Sequence, residues 1–60
     1  MRKFNVIFEV FDENGSKELK TIFVEAGNKK IATIRGMSAI NKLDGYSGKY
    51  KNVKSVEEVA

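Results

Sequence analysis

Asn14-Gly15 stands between two strand-like runs, and no other dipeptide in this chain restricts its folding as strongly. Ahead of it, Phe4, Val6, Phe8 and Val10 alternate with polar or mixed residues; behind it comes a second run, Leu19 to Ala26. Asn and Gly both tolerate positive φ, which tight hairpin turns demand, so Asp12 to Ser16 predicts a reversal between antiparallel strands. Side chains alternate between the two faces of a strand, so the even residues of the first run make one apolar face. The odd face is mixed and carries Ile7 and Phe11. On the second strand, expected from about Lys17 to Ala26, Ile22, Val24 and Ala26 share one face while Leu19 and Phe23 lie on the other. Ile7, Phe11, Leu19 and Phe23 thus predict a second apolar surface on the back of the hairpin.

Gly27-Asn28 interrupts this pattern, and Asn28 is suited to cap a helix by accepting from an otherwise unpaired backbone N–H. The helix is expected from Lys29 to about Leu43, stopped by Asp44-Gly45 with the glycine in a left-handed position. At 100° per residue, Ala32, Gly36, Ala39, Ile40 and Leu43 fall on one stripe. Ile34 and Met37 point largely away from it, with Ile31 between. Gly36 lowers helix propensity by about 1 kcal/mol relative to Ala. A close approach to the sheet would offset that, with Ala32, Gly36 and Ala39 set against Phe4 and Phe8.

Gly45 to Gly48 reads as a loop, and Tyr50 to Val59 as a third strand. There Val53, Val56 and Val59 recur every third residue, which breaks strand alternation. A bulge near Ser55 or a short terminal helical turn would reconcile them. The order is β-β-α-β. The fold class is α+β: a three-stranded, mainly antiparallel sheet with one helix packed on one face, in a single domain over 1–60. If the third strand ran parallel to the first, the helix would be a crossover with constrained handedness; the strand order stays open.

The order and the Lys, Asn and Ile usage resemble small uncharacterised ββαβ proteins of phages and mobile elements. The segment TIFVEAGNKKIATIRGMSAI looks like a strand-to-helix junction of the type Val-x-Ala-x(5)-Ala, met in many small α+β domains. VKSVEEV is similar to the last strand of certain small ribosomal proteins of that topology. The resemblance implies an accessory role and carries no functional residue across.

Composition narrows the function. Hydrophobic residues at 42% and charged residues at 32% describe a globular protein, and no apolar stretch approaches the roughly 20 residues of a membrane span. Glu9 and Asp12 interrupt the apolar alternation behind Arg2 and Lys3, so no signal peptide and no membrane partner is expected, and the location is expected to be cytoplasmic. The chain has no His and no Cys, which rules out disulfides and Cys/His zinc sites. Sixty residues bury only about 60% of their unfolded surface, so a partner subunit is the common supplement left open.

No catalytic residue and no metal ligand is assigned, and no cofactor or small-molecule substrate is expected. Glu57 and Glu58 are adjacent and would face opposite sides of a strand, a poor acid–base pair. Asp12-Glu13-Asn14-Gly15 resembles a calcium loop only at its start, because the twelfth position, which needs Glu, is Phe23. Gly45-x-x-Gly48 before Lys49 lacks the spacing of a phosphate loop. The chain is read as non-enzymatic.

Two binding readings remain. In the first, a protein partner or a second copy (a homodimer) meets an apolar surface. One helix covers one face of a small sheet, leaving either Ile7, Phe11, Leu19 and Phe23 on the back, or Ile31, Ile34 and Met37 on the helix exterior, for contact. The alternative reading is nucleic-acid binding. The net charge of +3 is uneven: residues 27–54 carry seven basic groups against Asp44 alone, whereas residues 1–26 carry four against five acids. Lys29, Lys30, Arg35, Lys42, Lys49, Lys51 and Lys54 would contact phosphates, with Tyr46 and Tyr50 stacking on bases. With only two arginines in the chain, such binding would read little sequence.

Overall fold

The computed structural model describes residues 1–59. Strands β1 (Arg2–Phe11) and β2 (Lys17–Ala26) precede helix α1 (Lys29–Asn41), and β3 (Tyr50–Val59) ends the chain's described part. The sheet order is β2-β1-β3, and β1 is antiparallel to both neighbours. The most apolar strand therefore takes the centre. β2 and β3 run in the same direction on opposite sides of it, so the chain must cross the sheet between them, and α1 makes that crossing.

The hairpin pairs Phe11 with Lys17, and its loop is held by its own acid. Gly15 N–H donates to the Asp12 carbonyl at 3.0 Å, and Asp12 N–H donates to the Ser16 carbonyl at 3.0 Å. Asp12 Oδ1 accepts from the N–H groups of Asn14 and Ser16 at 2.9 and 3.0 Å. Within the loop only Gly15 has positive φ, at 82°. This is the three-residue loop in which an ordinary turn ends in a left-handed glycine. Asn14, although tolerant of positive φ, does not adopt it. Asp12 binds two amides, which explains its place in the loop without any metal.

Asn28 caps α1 as expected: its backbone is extended, and its Oδ1 accepts from Ile31 N–H at 2.9 Å. The helix stops at Asn41, two residues before the expected end, where the backbone tightens and the N–H groups of Lys42 and Leu43 donate three residues back, to the Ala39 and Ile40 carbonyls at 3.1 Å. Gly45 does take positive φ, 85°, but in the turn that follows rather than at the cap. Leu43, expected on the core stripe, consequently lies beyond the helix and is exposed.

The core is the even face of β1. Phe4, Val6 and Phe8 are fully buried and Val10 nearly so, joined by Ile22, Val24 and Ala26 of β2 and Ala32 and Ile40 of α1. Gly36 is where helix and sheet come closest: a Cβ built there would lie 2.9 Å from Val6 Cβ. The close approach follows expectation; the residue it meets is Val6 rather than Phe4 or Phe8.

The period of three in β3 comes from a bulge. The β1–β3 register pairs Ile7 with Ser55 but Phe8 with Val53, leaving Lys54 as the extra residue. Val53 and Val56 thereby share the core face opposite Phe8 and Val6, while Val59, opposite Lys3, falls on the back. Bulges twist and interrupt an edge, and with Lys54 inside it this one blunts β3 against edge pairing.

Candidate functional site

The uncovered face of the sheet is built by the odd residues of β1 and their partners. Its middle row is Thr21–Ile7–Ser55. One row outward, Phe23–Asn5–Glu57 lies on one side and Leu19–Glu9–Asn52 on the other. The outermost rows are Glu25–Lys3–Val59 and Lys17–Phe11–Tyr50. Read diagonally, Phe23, Ile7, Leu19, Phe11 and Tyr50 run as a continuous apolar band, because next-row neighbours on adjacent strands lie within side-chain reach. Phe23 is 57% exposed, Leu19 53% and Tyr50 67%, whereas Ile7 and Phe11 are half-buried. The Phe11 and Tyr50 rings lie 5.7 Å apart. An ion pair, Lys17 to Glu9 at 3.4 Å, crosses the same face.

The helix exterior supplies no second surface. Ile31 and Met37 are half-buried against the core, and only Ile34 stays largely exposed, at 58%. The 100° projection set Met37 largely away from the contact stripe, with Ile31 between, because it took the helix to rest on one stripe. With glycine and alanines at the contact, the helix sits low enough for flanking residues to reach the sheet.

The basic segment is dispersed, and part of it is committed to the fold. Arg35 Nη1 donates to the Glu25 carbonyl at 2.7 Å, tying α1 to β2. Lys51 Nζ donates to the carbonyls of Tyr46 and Lys49 at 2.6 and 2.8 Å, closing the loop before β3. Lys29 and Lys30 stand at one end of α1 and Lys42 at the other, roughly 20 Å apart at 1.5 Å per residue. That exceeds the ~8 Å over which charges act together at physiological salt. Lys49 sits beside the Tyr46 ring and Lys54 in the bulge.

Tyr46 acts as a tie across the end of the core. Glu18, Val10 and Lys51 form one cross-strand row. The Tyr46 carbonyl takes Lys51, and its hydroxyl donates to Glu18 Oε2 at 2.7 Å. Lys20 and Lys49 ammonium groups lie 5.7 and 5.5 Å from its ring centroid. The ring is half-buried on the core rather than offered to a base. Tyr50 alone keeps an exposed ring of the two.

The hydrogen bond to Glu18 raises the Tyr46 pKa above its ordinary 10.0, helped by desolvation and by the carboxylate's charge. The folded chain thus favours the protonated phenol. The tie's contribution is complete below pH 10 and is lost as pH rises through the higher folded value. In a Tyr50→Phe variant, where phenolate absorbance reports Tyr46 alone, the titration midpoint is expected above 10. Adding Glu18→Gln should bring it down; an unchanged midpoint would mean the hydroxyl does not hold Glu18 in solution.

At the other end, Arg2 closes β1 to β3. Its Nε and Nη2 donate to Glu58 Oε2 and Oε1 at 2.8 and 2.7 Å, and Nη1 donates to the Gly27 carbonyl at 3.1 Å. These bonds hold the Glu58 carboxyl below its usual range; desolvation opposes them, and the charges of Arg2 and Lys29 add to them. Glu58 lies on the core face and Glu57 on the back, as strand alternation requires.

Among the described residues no group of three or more acidic, His or Cys side chains is placed to hold a metal, and no helix is long and apolar enough to cross a membrane. An open cleft of about 720 Å³ lies between the hairpin tip and the loop before β3, lined by Phe11, Asp12, Lys49 and Tyr50 among others. Of its two lining acids, Asp12 and Glu13, the first already serves two backbone amides. No family model, curated protein or solved structure matches the chain.

Proposed function

We propose that this chain is a non-enzymatic binding module that works by protein–protein contact through the open face of its sheet. One observation carries the reading: Leu19, Phe23 and Tyr50 are each more than half exposed on a face that α1 does not reach. Antiparallel sheets commonly present one face to water, but that face is then cleanly polar. Here an apolar band crosses it diagonally, bordered by Glu9 and Glu57 and by Lys3, Lys17 and Glu25 in the outer rows. An apolar band bordered by charged groups is the layout of an interface. The resemblance to small phage and mobile-element proteins is in keeping with an accessory role of this kind. Nucleic-acid binding is less favoured, because Arg35, Lys51 and Tyr46 are occupied within the fold.

The test is chemical cross-linking in nuclease-treated extract of the producing cell, comparing the native chain with Phe23→Lys. Because Phe23 is outside the core, the variant is expected to fold and to keep its stability within about 0.5 kcal/mol. Adducts of the native chain, with itself or another protein, should disappear in the variant. Identical adducts in both would remove the open face as the binding surface.

A further inference from the structure

The geometry points to a second copy of this chain as the occupant of the open face, stacked sheet on sheet about a two-fold axis that passes by Ile7 and runs across the strands. This rests on the protein-binding reading above and names its partner. The warrant is the pattern of the rows. An axis across the strands leaves each strand over its own copy but reverses the row order, so the middle row meets itself and the rows beside it exchange. Ile7 then lies over its own copy, and Phe23 lies over Leu19 of the second molecule. In the outermost rows, Glu25 lies over Lys17 of the second molecule, and symmetry repeats every such pair. Phe23, Leu19 and Ile7 thus meet apolar side chains, Glu25 meets Lys17, Glu9 and Glu57 meet the amides Asn5 and Asn52, Lys3 lies over Phe11, and no two like charges are set face to face.

The other two-fold axis that keeps strand stacked along strand, the one parallel to the strands, fails this test. It would set Lys3 over Lys3 and Glu9 over Glu9, and would put Phe23 over Glu57. Like charges placed face to face oppose association, so the face selects the first axis. Lys17 already reaches Glu9 along the face, and its half-exposed side chain leaves it able to take an acid from above as well. Three ten-residue strands make a face of roughly 33 by 14 Å, about 470 Å² at ~3.3 Å per residue and ~4.8 Å per strand, well under the roughly 800 Å² per partner of a standard interface. A reversible dimer, rather than an obligate one, is the form that area supports.

Sedimentation of the purified chain over a concentration series, with and without charge reversal, tests the pairing. The native chain should dimerise reversibly. Lys17→Glu or Glu25→Lys alone turns both rim contacts into like-charge pairs and should weaken the dimer about tenfold, equivalent to about 1.4 kcal/mol. The double variant Lys17→Glu/Glu25→Lys should recover most of that loss. The chain has no cysteine, so single cysteines report position: Thr21→Cys and Ser55→Cys should each cross-link to themselves with a short bismaleimide. Edge-to-edge pairing of β2 would cross-link only the first, and the strand-parallel axis neither; both results overturn the inference. A strict monomer at high concentration also overturns it. If extract adducts still depend on Phe23 in that case, the partner is another protein and the binding face stands. If they do not, both readings fall.

Discussion

Phe8→Ala is expected to remove half or more of the domain's stability. Phe8 is completely buried on the central strand, with Lys20 of β2 and Val53 of β3 as its register partners. Neither cross-strand partner can fill the space left behind, since Lys20 is charged and Val53 is short. Truncating a buried Phe costs about 3–5 kcal/mol, from lost transfer energy and the cavity left behind. A domain of this length has a total stability of only about 3–9 kcal/mol. The same substitution at Phe23, on the open face, should cost no more than a few tenths of a kcal/mol. Urea unfolding followed by circular dichroism, at protein concentrations low enough to hold the chain monomeric, compares the two. If Phe23→Ala proved the more damaging, the core would lie on the odd face of β1 and the assignment of inside and outside would be reversed.

That assignment was legible in the residues because strand alternation is a local property. A two-residue period decides which side chains share a face whatever the strand pairs with, so Ile7, Phe11, Leu19 and Phe23 separate from Phe4, Val6 and Phe8 before any partner strand is known. The cap at Asn28 and the turn at Gly15 are likewise decided within a few residues. What failed was longer in range. Strand order depends on whether β3 adds to the free edge of β1 or to that of β2, a choice between long-range pairings that no local signal decides. Ile31 and Met37 were misplaced because helix depth depends on the volumes at the contact, which a projection around the axis does not contain. The basic segment misled for a related reason. A run of lysines in sequence says nothing of which ammonium groups will be needed by carbonyls of the same chain. Lys51 is held by the carbonyls of Tyr46 and Lys49, and Arg35 by that of Glu25.

Helix depth makes Gly36→Ala the sharpest stability test of the packing, because here the usual rule should reverse sign. In a solvent-facing helix interior the change stabilises by about 1 kcal/mol, through higher helix propensity and a less flexible unfolded chain. At this position the new methyl would sit 2.9 Å from Val6 Cβ and 3.0 Å from both of its γ carbons. Val6 is on the central strand and fully buried, so it cannot turn aside, and its Cβ is fixed to the backbone in any rotamer. Overpacking of this kind costs about 1–3 kcal/mol, which outweighs the propensity gain or at least cancels it. The variant is therefore expected to be less stable than the native chain by up to about 2 kcal/mol. Val6→Ala removes the two γ contacts but keeps the Cβ contact, so it should relieve the strain only in part. In a double-mutant cycle by urea denaturation, Val6→Ala/Gly36→Ala should fall short of the sum of the single losses by about 0.5 kcal/mol or more, the coupling of residues in direct contact. A Gly36→Ala variant more stable than the native chain would mean that α1 rides higher above β1. The half-burial of Ile31 and Met37, which depends on the same close approach, would then have to be given up, and the helix exterior would return as a second apolar surface.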